Sequence, residues 1–372
     1  MADPSPALPP VDREALRSLL RERLAEPELD YASPPEHLAS GGEARIDAFR
    51  LCGVAPRLAG PLVLRRLFVS KPRDQLRFEA AVQNALVDQG FPVPAVLCVE
   101  PDPSALGAPF LVAERIPGEI MLLAVTRPAE LARRPHRLPG IVADALFRVP
   151  EVLGRTQARL HALAVEPLRA RLAAEGLSPE ALGFDARLVG IRQRVEGGAL
   201  DGLAPGLAWL EAHRPRQRAA VVCHGDLVFT NLCVHEGSVA GVFDWAMVTL
   251  AEPAFDVVAT LARLESRLPG LPGWLDWLTR RVQGQLARRY LASYRRNASH
   301  ADLGPARLVY YEAFWILHEL AWSGSRLRAG AAPEAGAESR WLHDETIDVG
   351  VSGFRERTGI TLEPLRYRPM RR

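Results

Sequence analysis

The stretch HGDLVFTN occupies residues 224–231, and the tripeptide FDW follows at residues 243–245. An apolar, β-prone run at residues 219–223 precedes it, and a second such run at residues 239–243 leads into Asp244. Between them, the turn residues 235–238 predict a β-hairpin. This hairpin brings Asn231 and Asp244 towards each other, close to the loop that carries Asp226.

Two carboxylates and one carboxamide at this spacing are typical of phosphoryl transfer. The catalytic loop of protein kinases reads HRDxxxxN and is followed by DFG. There the first Asp accepts the proton of the attacking hydroxyl, while the Asn and the second Asp hold Mg²⁺. We therefore predict that Asp226 is the base and that Asn231 and Asp244 bind Mg²⁺, a hard cation that prefers oxygen ligands. A chance HGD triplet in a surface loop is the alternative.

The chain resembles the aminoglycoside phosphotransferase and choline kinase-like family of small-molecule kinases. That family carries HGDxxxxN, then IDW or FDW, then a segment similar to GDPxxDLA. The last segment reads AEPAFDVVA here, at residues 251–259, so its first two positions depart from the pattern. The resemblance implies that Asp256 supports the catalytic loop through hydrogen bonds. His224 is expected to be a hydrogen-bonded scaffold of that loop.

The resemblance extends to the N-terminal part, whose strand and helix order is that of a kinase-like N-lobe. It implies a nucleotide site with these contacts: Gly41 and Gly42 in a glycine turn, Arg65, Glu79, and the hinge backbone at Glu114 and Ile116. Arg65 stands where protein kinases use a lysine, and Glu79 is its expected partner; an arginine can bind phosphate bidentately. A plain surface charge is the alternative for Arg65. Its neighbour Arg66, on the opposite strand face, is predicted to point to solvent.

The predicted fold class is α+β, a bilobal protein-kinase-like fold. Residues 1–35 form an N-terminal extension with a short helix, and residues 36–118 form an N-lobe of antiparallel sheet plus helix. Residues 119–372 form a larger, mostly helical C-lobe that contains the catalytic loop, residues 222–246, and the acceptor site. Residues 165–218 are expected to be an inserted helical segment.

Composition excludes several classes of function. The net charge of +2 gives no electrostatic support for nucleic-acid binding, and no apolar run is long enough to predict a membrane span. Lys71 is the only lysine and follows Ser70, so a Walker A loop is absent. Four cysteines without CxxC spacing and an N-terminus without signal-peptide features predict reduced thiols and a cytoplasmic protein.

The acceptor site is less clearly marked. Trp315, Glu319 and Trp322 share one face of a helix predicted at residues 306–327 and could hold a cationic acceptor. Alternatively, the tryptophans belong to the core and Glu319 pairs with an arginine. Residues 349–372 contain only two acidic residues among many arginines, which weighs against a polycationic antibiotic. A neutral or an anionic acceptor is compatible with this composition.

The sequence thus predicts an ATP- and Mg²⁺-dependent O-phosphotransferase acting on a hydroxyl group of a small molecule, with GTP as the second possible donor. A catalytically silent nucleotide-binding protein is the alternative, supported by Glu43 after the glycine turn and by Arg65 in place of lysine. The joint presence of Asp226, Asn231 and Asp244 argues against it. The absence of the kinase Arg at Gly225 disfavours a protein kinase.

Overall fold

The computed structural model describes residues 8–40, 44–68, 73–122, 136, 138–216, 218–266, 273–299, 301–330 and 342–366. Gly41, Gly42 and Glu43, predicted for the nucleotide loop, lie outside the described residues, as does Lys71. In the part of the chain that is described, no helix is both long and apolar enough to cross a membrane.

The described residues form ten strands and ten α-helices. The strands are β1 (Asp30–Ser40), β2 (Ala44–Cys52), β3 (Pro61–Leu67), β4 (Val96–Glu100), β5 (Phe110–Glu114), β6 (Glu119–Ile120), β7 (Val221–Cys223), β8 (Leu232–His235), β9 (Ser238–Val242) and β10 (Thr249–Ala251). The helices are α1 (Arg13–Leu24), α2 (Arg73–Asp88), α3 (Leu138–His161), α4 (Val165–Ala174), α5 (Phe184–Gly197), α6 (Ala204–Ala212), α7 (Pro253–Leu264), α8 (Gly273–Asn297), α9 (Pro305–Arg328) and α10 (Asp344–Thr358).

The chain divides into two compact units. The first comprises Met1–Ala124, Glu166–Ser178 and Thr230–Ala246, and the second comprises Val125–Val165, Pro179–Phe229 and Met247–Arg372. The sequence-based boundaries differ from this division, because they placed residues 166–178 and 230–246 in the C-lobe. The second half of the predicted catalytic segment therefore belongs to the first unit.

The first unit is built on an antiparallel sheet of five strands in the order β1-β2-β3-β5-β4. Helix α2 joins β3 to β4 and packs on the sheet. The Asn84 carboxamide donates to Val96 O at 2.9 Å and accepts from Val96 N at 2.8 Å, which fixes this helix to β4. This is the predicted N-lobe order of strands and helix.

The N-terminal segment is part of this unit's core, not an extension of it. Asp12 caps α1 by accepting from the backbone N–H groups of Glu14 and Ala15, a contribution of about 1 kcal/mol. On the apolar face of α1, Leu16 and Leu20 are fully buried in one cluster with sheet residues such as Phe110. The i, i+4 spacing gives α1 an apolar stripe that packs into this cluster.

Arg66 is buried, so the prediction that it points to solvent is wrong. Its side chain is about 2% exposed, and Nη2 donates to Pro9 O at 2.7 Å and to Asp47 at 3.4 Å. The N-terminal segment covers this face of β3, which strand alternation alone cannot reveal. Burial lowers the pKa of Arg66, partly offset by the charge of Asp47.

A second, smaller sheet completes the first unit. Its strand order is β6-β8-β9, and β8 and β9 form the predicted hairpin, in which Leu232 pairs with Val242. Strand β6, which sequence analysis missed, pairs with β8 through Glu119–Val234 and Ile120–Cys233. A two-residue strand carries too short a pattern to be seen in sequence.

The second unit is mainly helical. Helix α9 packs against α5, α6, α7 and α10, and α8 packs against α3 and α7. Its aromatic core includes Phe184, Phe255 and Phe314, with ring centroids 5.0 to 5.8 Å apart. Strands β7 and β10 form an antiparallel pair. Residues 230–246, which lie between these strands in the chain, belong to the first unit.

Candidate active site

The catalytic loop begins directly after β7 and is held by Asp256 of α7. The Asp256 carboxylate accepts from the backbone N–H of His224 at 3.0 Å and from that of Gly225 at 2.7 Å. It also contacts His161 Nε2 at 2.9 Å, and His161 Nδ1 lies 2.7 Å from Tyr294 Oη. Burial works to raise the pKa of Asp256, but the hydrogen bonds and nearby histidines outweigh it and the pKa is lowered. Asp256 thus stays ionised while fully buried.

Gly225 adopts a backbone conformation that favours glycine. Its φ is +81°, and a Cβ at this position would lie 2.5 Å from Met247 O. The larger side chain that protein kinases carry here has no room in this loop. The loop backbone therefore lies against Met247, two residues before β10.

The next part of the loop is fixed through Leu227. Its carbonyl accepts from Thr260 Oγ1 at 3.1 Å, and Thr260 Oγ1 in turn accepts from Gln157 Nε2 at 3.3 Å. Tyr290 donates to the Gln157 side chain from α8. Sequence analysis missed this relay, because its members come from three helices far apart in the chain.

Asp226 is ion-paired with Arg263, a residue that sequence analysis also missed. Arg263 Nε donates to Asp226 Oδ1 at 2.9 Å, and Arg263 Nη2 donates to Glu319 Oε1 at 3.1 Å. One guanidinium therefore bridges two carboxylates, each about one-fifth to one-quarter exposed. The sequence does contain a signal for Arg263. Asp256, Thr260 and Arg263 follow i, i+4, i+7 spacing on α7, so Arg263 shares the helix face that holds the loop.

In the first unit, Asn231 and Asp244 lie at the same end of the β8–β9 hairpin. Phe243 N donates to Asn231 O at 2.9 Å, so the residue before Asp244 is paired with Asn231. Asp244 has a φ of +64°, a left-handed conformation that Asp tolerates better than most residues. The predicted hairpin therefore brings its two oxygen-bearing residues to one end.

The hairpin is attached to the segment that precedes β4 and to the segment that follows β5. Val242 N donates to Pro92 O at 2.8 Å, and the Trp245 ring contacts the Phe91 ring edge-on at 6.2 Å. Gly118 has a φ of +109°, and its Cβ would lie 2.3 Å from Val234 O. The predicted hinge, Glu114 to Ile116, immediately precedes this glycine. Among the residues that the structure describes, Ile116 N–H has no hydrogen-bond partner.

Arg65 and Glu79 form the predicted ion pair. Arg65 Nη1 donates to Glu79 Oε2 at 3.0 Å; the Glu79 side chain is 3% exposed and that of Arg65 is 24% exposed. Glu79 Oε1 is buried and lacks a hydrogen-bond partner within the described ranges. Arg65 is thus held by a buried carboxylate, which disfavours the interpretation as a plain surface charge.

Comparison with known proteins agrees with this geometry. The model of the phosphotransferase enzyme family matches residues 54–309, well over half of the chain. The chain belongs to this family. The predicted α+β, bilobal kinase-like fold class is confirmed.

Solved structures share the fold of this phosphotransferase at low sequence identity. A candidate aminoglycoside phosphotransferase from Ralstonia eutropha JMP134 has a TM-score of 0.63 and 20% identity, over 94% of this chain and 99% of that one. A thermostable mutant of aminoglycoside phosphotransferase APH(4)-Ia, crystallised with ADP and hygromycin B, has a TM-score of 0.53 and 15% identity, over 91% and 98% of the two chains.

Curated relatives of the phosphotransferase are much longer proteins. Acyl-CoA dehydrogenase family member 10 of Mus musculus is 27% identical over 203 residues, which are 53% of this chain and 18% of that protein. Acyl-CoA dehydrogenase family member 11 of Homo sapiens is 27% identical over 190 residues, or 49% and 22% of the two chains. The match spans about a fifth of these relatives' length.

The structure does not bring Trp315 into an open aromatic pocket of the phosphotransferase. Trp315 is 5% exposed, and its Nε1 donates to Phe255 O at 2.9 Å, so it belongs to the core between α7 and α9. Trp322 contacts Arg326, whose guanidinium lies 5.8 Å from the ring centroid. Glu319 is bound to Arg263. The alternative interpretation, in which the tryptophan belongs to the core and the glutamate pairs with an arginine, therefore holds for Trp315 and Glu319.

Proposed function

We propose that this phosphotransferase transfers the γ-phosphoryl group of ATP to a hydroxyl group, with Mg²⁺ as cofactor and Asp226 as base. The observation that carries the proposal is the fixation of the loop around Asp226. Asp256 binds the two backbone N–H groups before it, and Arg263 binds its carboxylate. A catalytically silent protein needs no carboxylate held in this way, because positioning matters only to a reacting group.

Asn231 and Asp244 are assigned to Mg²⁺ on the chemistry of their donors. One carboxylate and one carboxamide at the end of a hairpin offer only oxygen atoms, which suits Mg²⁺ better than a soft metal. When bound, Mg²⁺ neutralises negative charge on the β- and γ-phosphates of the nucleotide.

Arg65 is assigned to the α- and β-phosphates, and the hinge to the adenine ring. Glu79 fixes the Arg65 guanidinium from one side and leaves the partly exposed side for phosphate. The Ile116 N–H and the Glu114 carbonyl are suited to the edge of the base. The crystallisation of aminoglycoside phosphotransferase APH(4)-Ia mutants with ADP or AMP-PNP supports an adenine nucleotide as donor.

In the proposed reaction, the acceptor O–H gives its proton to the Asp226 carboxylate as its oxygen bonds to the γ-phosphorus. The bond from that phosphorus to the bridging oxygen breaks, and ADP leaves. We also infer a cytoplasmic location, where ATP is available and the four free cysteines, Cys52, Cys98, Cys223 and Cys233, stay reduced.

The test is Mg²⁺-dependent ADP release across a panel of amino alcohols, sugars, hydroxy acids, macrolides and aminoglycosides. We expect Asp226→Asn to lower kcat by at least about 100-fold on any accepted compound, as general-base loss does. Asp201→Asn, an exposed aspartate of the same unit, is the matched control and keeps wild-type kcat. Turnover that survives in Asp226→Asn would refute the assignment of the base.

The nucleotide assignment has a separate readout. Arg65→Gln is expected to weaken ATP binding by about tenfold or more, since it removes one charge-assisted contact to phosphate. Arg50→Gln, an exposed arginine on the neighbouring strand β2, serves as its control. Equal ATP affinities for the two variants by titration calorimetry would contradict the role of Arg65.

A further inference from the structure

Three arginines of the second unit lie around the segment that carries His318 and Glu319, and one of them, Arg263, also binds Asp226. Arg187 and Arg194 are seven residues apart on α5 and therefore share one helix face, and Arg263 comes from α7. Helix α9, which carries His318 and Glu319, packs against both of these helices. The three positive charges thus converge on one segment of α9.

The pKa of His318 reflects its burial and the nearby charges of these three arginines. Burial and, in decreasing order, the charges of Arg194, Arg187 and Arg263 together lower the pKa of His318 to about 3. The imidazole is therefore neutral at pH 7. Its Nδ1 is buried and has no hydrogen-bond partner among the described residues. A buried polar atom without a partner is destabilising, so this nitrogen indicates that the site receives a polar group.

The three arginines differ in what they already bind. Arg187 donates to Thr249 Oγ1 at 2.9 Å and to Val248 O at 2.8 Å, so it is committed to the backbone around β10. Arg263 is committed to Asp226 and Glu319. In the described ranges, the half-buried Arg194 side chain makes no hydrogen bond and no ion pair within 4 Å. Burial lowers its pKa, and Glu319 only partly compensates.

Charge decides which acceptor this arrangement suits. Three arginines face two carboxylates, Asp226 and Glu319, and His318 is neutral, so this set of groups carries a net charge of +1. A polycationic acceptor would be repelled by the arginines, because both carry positive charge. An oxyanion would gain a charge-assisted, potentially bidentate contact to a guanidinium that lacks an ion-pair partner.

We propose that the acceptor is an anionic hydroxy compound, with Arg194 binding its carboxylate or phosphate group while its hydroxyl faces Asp226. The neutral His318 imidazole would supply a hydrogen bond to the same anionic group. This proposal rests on the proposed function, since it names the acceptor class of that reaction. The transfer is the one described above, and the anionic group takes no part in bond making or breaking.

The test compares acceptors that carry an anionic group with neutral and cationic acceptors. ADP release would be measured with 3-hydroxybutyrate, 4-hydroxybutyrate and 6-hydroxyhexanoate, with the primary amide of each, with glycerol 3-phosphate against glycerol, and with kanamycin. The acids or the phosphate ester are expected to exceed their neutral partners at least tenfold in kcat/KM. The carboxylate and phosphate arms show which oxyanion the site prefers. Neutral or cationic acceptors that are used equally well or better would overturn the proposal.

The residue assignment is tested on the same compounds. Arg194→Gln is expected to raise KM for the anionic acceptor at least tenfold, with kcat nearly unchanged and the neutral partner little affected. Arg192→Gln is the matched control, because Arg192 lies two residues away on α5, is exposed and pairs with Glu211. If the two variants behave alike, Arg194 does not bind the acceptor.

Binding separates this proposal from the reaction itself. The same acids and inorganic phosphate would be titrated into the wild-type, Arg194→Gln and Asp226→Asn proteins by calorimetry. Anion binding that is weakened by Arg194→Gln but kept in Asp226→Asn supports the anionic site even if turnover is not seen. Turnover of aminoglycosides alone, lost in Asp226→Asn, would leave the phosphotransferase mechanism standing and remove the anionic acceptor. Absence of anion binding and of anion turnover would also overturn it.

Discussion

At the scale of single residues, Asp226 depends on one guanidinium that it shares with Glu319. Arg263 is protonated, because its two carboxylate partners outweigh the effect of burial and raise its pKa. An arginine can span both partners with its planar fork, whereas a lysine offers a single point of charge. Arg263 is therefore a positioning residue for the proposed base.

We predict that Arg263→Gln lowers both stability and kcat. It leaves two partly buried carboxylates without their counter-charge, which should cost about 1–3 kcal/mol, less than for a fully buried pair. A double-mutant cycle with Glu319→Gln in urea unfolding should give a coupling energy of about 1–2 kcal/mol. The exposed pair Arg192–Glu211 is the control and should give a clearly smaller coupling energy, because solvent screens the two charges. Equal coupling in both cycles would show that Arg263 contributes no more than a surface charge.

A second prediction at this scale concerns Gly225. Gly225→Ala should destabilise the protein by about 1–3 kcal/mol, because alanine is strained at positive φ and its Cβ meets Met247 O. Activity should fall with it, since the shift moves the loop next to Asp226. Gly190→Ala on α5, where nothing lies within 4 Å of the added Cβ, should instead be neutral or stabilising. Thermal unfolding of both variants decides this; a stable, active Gly225→Ala protein would contradict the close approach.

At the scale of elements, the small sheet attaches the β8–β9 hairpin to the predicted hinge. Strand β6 follows the hinge directly, and it pairs with β8, so Asn231 and the hinge backbone are held within one unit. The close approach of Gly118 to Val234 O is the tightest point of this attachment. This attachment fixes the position of the hinge relative to the hairpin.

We predict that Gly118→Ala raises KM for ATP more than it changes kcat. The added Cβ forces β6 away from β8 and displaces the hinge, which is assigned to adenine. Gly237→Ala, at the hairpin turn, has a similar positive φ but open space around the added Cβ, so it should cost only the backbone strain of about 1 kcal/mol. Steady-state kinetics against ATP would test this; matching KM values for the two variants would argue against the attachment.

At the scale of the whole molecule, His318 makes stability depend on pH. Its folded pKa is about 3, against about 6.5 in the unfolded chain. Between these values the unfolded state binds more protons, so this contribution to stability is complete above pH 6.5. It is lost as pH falls towards 3, at up to about 1.4 kcal/mol per pH unit. Burial is the main cause of the lowered pKa, and the charges of Arg194 and Arg187 on α5 and of Arg263 on α7 add to it.

We predict that His318→Gln flattens the pH dependence of the free energy of unfolding between pH 4.5 and 6.5. The difference in slope from wild type should approach 1 kcal/mol per pH unit, as measured by urea unfolding at several pH values. His343→Gln, an exposed histidine at the start of α10, should leave the slope unchanged. If His318→Gln and wild type show parallel curves, His318 is not held neutral in the folded protein.

Several parts of the fold followed from local pattern. The apolar spacing of α9 and the β-prone runs of β7 and β9 predicted these elements to within a residue or two. The pairing of Arg65 with Glu79 followed from the resemblance. The solvent-facing prediction for Arg66 failed because strand alternation identifies two faces but not what covers the second one. Here Pro9 and Asp47 cover it.

Residue type and short spacing were sufficient to predict the family, the fold class and the motif that carries Asp226, Asn231 and Asp244. The surroundings of that motif depend on how the chain packs. Arg263, Glu319 and Arg194 come from three helices separated by long stretches of chain, and their meeting depends on helix packing, which no local pattern encodes. The net charge of the proposed acceptor site therefore depends on tertiary packing, because only the arginines that helix packing brings together contribute to it.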